Sequence, residues 1–278
     1  MKRLILVLVL LLGAIVIGSL IAKLPVGSRI AVIKVDGIII DPDPVVKKIE
    51  KAKKDDSIKA LVLRVDSPGG SVGASQEIYR ALERFKESKK PIVVSMGNVA
   101  ASGGYYISIP ADYIYANPGT ITGSIGVIIQ HMDYRELLNR IGVKTTTIKT
   151  GKFKDILSPF KNLTDEEKEY LKNTVEDAYN QFVSAILKYR SGKISEEKLR
   201  SVADGRIMTG LMAQKVGLVD GLGNFEDAID KAKELAGVKE ARVFYMEEGK
   251  SLIRRFFGAD LSGFYLNYYP TMTYYLMK

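Results

Sequence analysis

The longest uninterrupted apolar stretch of the chain lies near its start. Residues 4–22 carry no charged side chain, and a helix of this length, at about 1.5 Å per residue, spans the roughly 30 Å hydrocarbon layer of a bilayer. A cleaved signal peptide is the alternative, but its apolar part is usually shorter and ends in small residues, where this chain has Leu20. The pattern predicts an uncleaved transmembrane anchor.

Charges flanking this stretch predict its orientation. Lys2 and Arg3 precede the span, whereas only Lys23 follows it directly, so residues 1–3 are expected in the cytoplasm. Residues 23–28 then form a linker. A folded domain at 29–240 and an aromatic-rich tail at 241–278 are expected on the outer side of the membrane.

Beyond the linker, short apolar runs alternate with amphipathic stretches. Buried parallel strands are predicted at 29–37, 60–67 and 91–97, each bounded by turn residues. A helix is predicted between the last two, because an apolar stripe recurs at helical spacing: Ile78, Ala81, Leu82 and Phe85. Alternation of this kind indicates an α/β fold with a mostly parallel, layered sheet.

The second half of the domain is predicted to be mainly helical. Short strands are expected within 113–130, followed by a helix at 133–142 and a further strand at 144–151. Thr164 and Glu167 form a capping-box pattern that begins a helix ending near Arg190. Two more helices are expected near 195–204 and 223–236.

Composition narrows the function only slightly. The chain has no cysteine, which excludes thiol chemistry, and its net charge of +9 comes without a basic cluster or nucleic-acid motif. The positive charge fits attraction to anionic lipid headgroups and fits a lysine-rich solvated surface equally well. The tail at 256–278 concentrates aromatic residues without a clear period, which suits contact with lipid, a partner subunit, the active site or ordinary packing.

Two stretches could carry chemistry. In residues 64–75, "RVDSPGGSVGAS", a predicted strand meets a helix at Gly69 and Gly70, so backbone N–H groups can hold a phosphate or an oxyanion. In "GNVAASGGYYISIPA", small residues surround Ser102, which suits either a helix cap or an exposed nucleophile with "GYYI" as an apolar wall.

A nucleophilic serine needs a base, and the candidates are few. His131 is the only histidine; it ends a predicted strand, and Asp133 beside it fits a helix cap, so both are interpreted as structural. Lysines alternate in the strand-like segment 149–160, at Lys149, Lys152 and Lys154. Because burial penalises an ammonium ion, a lysine base requires apolar surroundings, and Lys154 precedes such residues.

Five motifs in register give a resemblance to a known family. "DSPGGSV", "AASGGYYI", "ANPGTITGSIGVI", "KTGKFKDILSPF" and "ADGRIMTGLMAQKVGLVDGLG" follow one another between about residues 28 and 236. Together they resemble the short, single-repeat form of the signal peptide peptidase A family, which are membrane-bound serine proteases. The resemblance implies the Clp protease/crotonase fold, a layered β/α domain with a helical C-terminal part behind one N-terminal transmembrane helix.

The resemblance also implies roles for individual residues. By position in the family motifs, Ser102 is the nucleophile, Lys154 the general base and Ser124 the residue that holds the lysine. The expected oxyanion hole comes from two backbone amides, one of Gly69 or Gly70 and one of Gly103. No metal, nucleotide or other cofactor is implied.

The implied function is a membrane-anchored serine endopeptidase with a Ser-Lys dyad. Its expected substrates are cleaved signal peptides and other membrane-associated or unfolded peptides. The expected partners are the bilayer and further copies of the chain, with active sites near subunit boundaries and no nucleic acid. Alternatives are a stomatin-partner-type membrane protease, a crotonase-like acyl-CoA enzyme and a non-catalytic peptide-binding oligomer.

Overall fold

The fold is built on a central, mostly parallel sheet, seen in a computed structural model that describes residues 27–246 and the backbone of 274–276. The strands are β1 Arg29–Asp36, β2 Ile58–Ser67, β3 Gly69–Ser71, β4 Ile92–Ala101, β5 Tyr113–Ala116, β6 Ile121–Gly123, β7 Ile207–Thr209, β8 Gly221–Leu222, β9 Arg242–Tyr245 and β10 Tyr274–Leu276. Eight of them form the central sheet, and β3 and β10 form a separate two-stranded sheet. The helices are α1 Asp43–Lys54, α2 Val72–Lys86, α3 Gly103–Ser108, α4 Arg135–Arg140, α5 Asp165–Arg190, α6 Glu196–Val202, α7 Gly210–Lys215 and α8 Phe225–Leu235.

The main sheet runs in the order β7-β6-β4-β2-β1-β9, and every neighbouring pair is parallel except β6 with β7. Strand β4 has two partners along one edge: β5 pairs with its first half and β6 with its last residues. The predicted strands at 29–37, 60–67 and 91–97 are thereby confirmed. Because parallel strands end at one edge of a sheet, β2 and β4 deliver the residues that follow them to the same place.

Helices cover both faces of this sheet, which confirms the layered α/β architecture. On one face Ile30 and Val32 of β1 pack in a cluster with Ala228 and Ile229 of α8. On the other, the intervening residues of β1 join a larger core with α1, α2, α3 and α5. The strands are therefore apolar on both sides, as buried parallel strands require.

Helix predictions hold where the apolar stripe is wide. The four predicted stripe residues of α2 are all buried, and α5 begins with a capping box in which Thr164 and Glu167 exchange side-chain and backbone hydrogen bonds. Helices α1 and α7 are not among the predicted elements. The stripe of α1 is only three buried residues wide within a lysine-rich sequence, which makes a weak signal.

The predicted strand at 144–151 is wrong. No strand is present there, and residues 143–150 are exposed throughout. The alternation of threonine and lysine in this stretch provides a single large apolar side chain, Ile148, which is 97% exposed. Without an apolar face to bury, a period of two gives no driving force for joining the sheet.

Within residues 27–246 no helix is both long and apolar enough to cross a bilayer. The predicted anchor at 4–22 lies outside the described residues. At the other end, β9 pairs with β1 and carries the sheet as far as Tyr245.

A buried ion pair joins α5 to the β8 side of the sheet. Arg190 and Asp220 lie 2.8 Å apart with side chains 1% and 5% exposed, and Arg190 also donates two hydrogen bonds to the carbonyl of Gly217. Burial alone would raise the pKa of the Asp220 carboxyl, but the hydrogen bond and charge of Arg190 hold the pKa below its usual value.

Replacing Asp220→Asn is expected to lower the free energy of unfolding at neutral pH by about 3–5 kcal/mol, because Arg190 keeps a buried, uncompensated charge. Since the folded pKa of Asp220 lies below the unfolded value of about 3.9, its contribution is complete above that pH and is lost as the pH falls through the folded pKa. Urea unfolding across an acid series should show the difference from wild type shrinking below about pH 4.

The matched control is Asp230→Asn, which breaks an exposed pair with Lys233 one turn away. Such a pair contributes at most about 1 kcal/mol. Equal losses for the two variants at neutral pH would contradict the role assigned to the buried pair.

Candidate functional site

Ser102 stands at the junction of β4 and α3 in an unusual backbone conformation. Its φ of 53° and ψ of −118° lie outside the ordinary regions for a side-chain-bearing residue. The conformation is fixed from both sides: the Ser102 N–H donates to the carbonyl of Gly123 at 2.8 Å, and its own carbonyl accepts from the N–H of Tyr106 at 2.8 Å. Strain of this type costs about 1–3 kcal/mol and is concentrated at functional sites.

The hydroxyl of Ser102 is buried and unpaired. The residue is 1% exposed, and its Oγ has no hydrogen-bond partner among the described residues. Buried hydroxyls nearly always have a partner, and one left without costs about 1–3 kcal/mol. A strained backbone therefore presents a hydroxyl that the rest of the described fold does not use.

Glycines after Ser102 permit a very close backbone approach. A Cβ on Gly104 would stand 2.6 Å from the carbonyl oxygen of Ser67, and one on Gly103 would stand 2.5 Å from Ser75 Oγ. Small residues are thus needed for packing against the end of β2. The expected apolar wall is not formed, because Tyr105 and Tyr106 are both core residues.

Residues 68–70, called here the glycine loop, connect β2 to β3, and their backbone lies against the first residue of α3. Gly69, with φ of 104°, donates its N–H to Ser67 Oγ at 3.1 Å. A Cβ on Gly70 would overlap the carbonyl oxygen of Ile39, so only glycine fits there. The nitrogen of Gly70 lies 3.2 Å from where a Gly103 Cβ would stand, which places the Gly70 amide beside the first residue of α3.

Strand β3 pairs with an antiparallel strand from the C-terminal tail. The backbone of β10 pairs with β3 in the register Tyr274 to Ser71, Tyr275 to Gly70 and Leu276 to Gly69. This part of the aromatic tail therefore lies next to the glycine loop. The remaining tail residues from 247 onward lie outside the described residues.

Ser124 is the second predicted site residue other than glycine that has a positive φ. Only Lys89, Ser102 and Ser124 share this feature among the non-glycine residues of the described part of the chain. Ser124 directly follows Gly123, whose carbonyl accepts the Ser102 N–H, and the Ser124 N–H donates to the carbonyl of Arg206 at 2.8 Å. The structure thus brings Ser102, Ser124 and the glycine loop together.

Lys154 is not in contact with Ser102 within one copy of the chain. It is exposed in a run of turns over 152–157, and because Ser102 Oγ has no partner, no described lysine reaches it. Its neighbours differ: Lys149 binds Asp155, and Lys152 binds Glu166. Of the three candidate lysines, Lys154 is the one whose ammonium makes no hydrogen bond or ion pair with described residues.

A chain of charges ties this lysine-bearing segment to α5. Asp155 contacts both Lys149 and Lys161, and Lys161 in turn binds Glu167 in the capping box of α5. The hydrogen bond from Lys149 holds the pKa of the Asp155 carboxyl below its usual value, and that from Lys161 does the same for the pKa of Glu167. The segment is therefore anchored electrostatically.

The same part of the chain exposes an apolar surface. Residues 128–160, called here the 128–160 segment, hold half of the exposed large apolar residues of the described structure: Ile128, Met132, Tyr134, Leu137, Ile141, Val143, Ile148 and Phe160. A concentration of this kind is typical of a surface that another molecule covers.

His131 and Asp133 bond to other residues of the 128–160 segment, but Asp133 is not the predicted cap of α4, whose N-cap is Tyr134. The Nε2 atom of His131 lies 2.8 Å from the carbonyl oxygen of Ser158, and Asp133 accepts hydrogen bonds from the backbone and side chain of Arg135. Ser75 was not indicated by any sequence signal beyond its place in the glycine-rich stretch 64–75.

Comparisons with known proteins find two matching family models and several similar proteins. A model described as Peptidase family S49 matches residues 84–239, and one described as Clp protease matches 41–117. A protein of Synechocystis sp. named as a protease is 44% identical over 84% of this chain and 84% of its own length. A protein of Enterococcus faecium named as signal peptide peptidase SppA is 39% identical over 70% of this chain and 56% of its own.

Among solved structures, a serine-to-alanine mutant of the 1510-N membrane-bound stomatin-specific protease matches with a TM-score of 0.50. The match covers 80% of this chain and 99% of that one at 17% identity, so it supports a shared fold and nothing further. With the Clp protease match, it confirms the predicted Clp protease-like fold.

Gly70→Ala is expected to be strongly destabilising, by about 3 kcal/mol or more, because the new methyl group meets the backbone of Ile39, which cannot move aside cheaply. Gly73→Ala, three residues on in the first turn of α2, is the matched control, since nothing lies within 4 Å of its Cβ position. It should raise stability by about 0.5–1 kcal/mol. Thermal unfolding of the two variants distinguishes them, and similar Tm values would contradict the packing described.

Proposed function

Because the chain belongs to peptidase family S49 and is a serine peptidase, we propose that it is a membrane-anchored endopeptidase acting through Ser102 and Lys154. The observation that carries this assignment is the Ser102 hydroxyl, which is unpaired on a strained backbone at the carboxyl end of β4. The glycine loop after β2 ends at the same edge of the sheet.

The proposed reaction is acyl transfer through a covalent intermediate. The neutral amine of Lys154 takes the proton of the Ser102 hydroxyl as the oxygen attacks a peptide carbonyl, and the lysine then gives that proton to the departing amine. Water hydrolyses the acyl-enzyme with Lys154 again as base. Backbone amides of Gly103 and the Gly69–Gly70 loop would hold the negative oxygen, and Ser124 would hold the lysine.

Strand pairing at β3 supports a peptide as the substrate. One edge of β3 pairs with the backbone of β10 in antiparallel register, so this edge is able to bind an extended backbone by main-chain hydrogen bonds. A peptide substrate would take the place of β10. Cleaved signal peptides and other membrane-associated or unfolded segments are the proposed substrates, in line with the name of the Enterococcus relative. Their apolar character suits an enzyme held at the bilayer by residues 4–22, with its N-terminus in the cytoplasm and its peptidase domain outside.

We further propose that the working enzyme is a homo-oligomer in which sites lie near subunit boundaries. Lys154 and Ser102 are not in contact within one copy, and the lysine is exposed without a partner. The 128–160 segment, which carries Lys154, also exposes the apolar surface described above. Burying this segment against a second copy would give Lys154 the apolar surroundings that a neutral amine requires.

A fluorophosphonate that acylates active serines tests the nucleophile. Wild-type protein should be labelled, and Ser102→Ala should lose labelling and peptidase activity together while its Tm rises by a few degrees, because only an unpaired buried hydroxyl is removed. Ser108→Ala is the control for labelling, since that buried hydroxyl is occupied by the carbonyl of Gly104. Undiminished labelling of Ser102→Ala would refute the assignment.

Lysine variants test the base and the arrangement of subunits together. Lys154→Ala should lower kcat by about 10²-fold or more, whereas Lys152→Ala, which breaks only an exposed ion pair, should keep most of the activity. Co-expression of Ser102→Ala with Lys154→Ala in equal amounts should restore about a quarter of wild-type activity if the two groups come from different copies.

Restoration occurs because a mixed oligomer contains some sites with an intact serine and an intact lysine. If both groups act within one copy, the mixture stays as inactive as the separate variants. Loss of activity in Lys152→Ala, with Lys154→Ala unaffected, would overturn the choice of base.

A further inference from the structure

Two buried hydroxyls in the described structure have no hydrogen-bond partner, and they lie on either side of one glycine. They belong to Ser75 and Ser102, and no other buried side-chain nitrogen or oxygen of the described residues is unpaired. Ser102 has a role in the proposed mechanism, but Ser75 has none. An unpaired buried hydroxyl destabilises a fold, so its presence beside a reactive serine calls for a functional reason.

Ser75 is a buried residue that lies close to Gly103. It is the fourth residue of α2, which follows the glycine loop directly, and it is 0% exposed. A Cβ placed on Gly103 would stand 2.5 Å from Ser75 Oγ and 3.2 Å from the nitrogen of Gly70. The hydroxyl therefore borders the gap between the two backbone segments whose amides face the expected oxyanion.

We propose that Ser75 is a positioning residue that sets the separation between the Gly70 and Gly103 amides. The inference rests on the proposed peptidase function. Ser75 borders the site through Gly103, so in this proposal it acts through the glycine and is assigned no contact with the substrate. The Ser75 oxygen fills the space next to Gly103, so the first turn of α3 cannot shift into that space. The oxygen is also small enough for the two backbone segments to approach each other closely.

The arrangement predicts opposite effects on stability and catalysis. Ser75→Ala removes an unpaired buried hydroxyl, so its Tm should rise by about 2–4 °C. The same change loosens the spacing of the amides, and kcat should fall by about 10- to 100-fold with little change in KM. The affinity for a peptide aldehyde, whose adduct with a serine carries an oxyanion-like oxygen, should weaken in parallel with kcat.

Two further variants separate positioning from passive packing. Ser75→Cys restores an atom at the γ position, although sulfur is larger and less polar than oxygen, and should recover part of the kcat that Ser75→Ala loses. Ser108→Ala removes a paired buried hydroxyl from α3 and should lower Tm, in contrast with Ser75→Ala.

The deciding measurements are Tm, kcat, KM and the aldehyde inhibition constant for wild type and the three variants, made on oligomeric protein. A raised Tm with lowered kcat in Ser75→Ala, and recovery in Ser75→Cys, supports the proposal. Unchanged kcat and aldehyde affinity in Ser75→Ala overturns it and leaves a passive core serine. Failure of the proposed function is seen separately, since wild-type protein would then show no fluorophosphonate labelling that depends on Ser102.

Discussion

The close approach of two backbones is the constraint on which the site depends. The loop after β2 and the first turn of α3 meet where side chains beyond a hydrogen atom do not fit, at Gly70, Gly103 and Gly104. Parallel strands β2 and β4 end at the same edge of the sheet and deliver these segments to each other. A side chain at any of these glycines would push the two backbone segments apart, so the packing of the fold and the surroundings of Ser102 depend on the same contacts.

Strain and an unpaired hydroxyl are tolerated at Ser102 because the surrounding structure is well packed. The neighbouring β4 strand is hydrogen-bonded along its length, and α3 is entirely buried, so the unfavourable backbone angles are held by many ordinary interactions. Strain held in this way keeps a reactive group oriented before substrate arrives. The cost is local, and the stability that offsets it is spread across both faces of the sheet.

Sequence pattern predicts the central strands, α2 and the capping box of α5, because wide apolar stripes and capping residues are local signals. It also indicates Ser102 and the glycine loop, whose residue types are rare in strand and helix interiors. The failed strand at 144–151 shows that alternation without an apolar face is not sufficient. Ser75 could not be identified in advance, because its significance depends on a contact with Gly103 that only the folded chain creates. The motif around Lys154 also gives no sign that this lysine is exposed and out of contact with Ser102.

The series of ion pairs from Lys149 through Asp155 and Lys161 to Glu167 makes one segment of the protein sensitive to ionic strength. It fastens the lysine-bearing segment to α5 through ionic contacts, of which only the Glu167 end is fully buried. Dissolved ions screen partly exposed charges with a Debye length of about 10 Å at 0.1 M ionic strength, and this length becomes shorter as the salt concentration rises. Salt concentration therefore acts on the placement of the lysine-bearing segment more than on the sheet, whose cohesion is apolar. With Lys154 as the proposed base, the turnover of the peptidase is expected to depend on ionic strength.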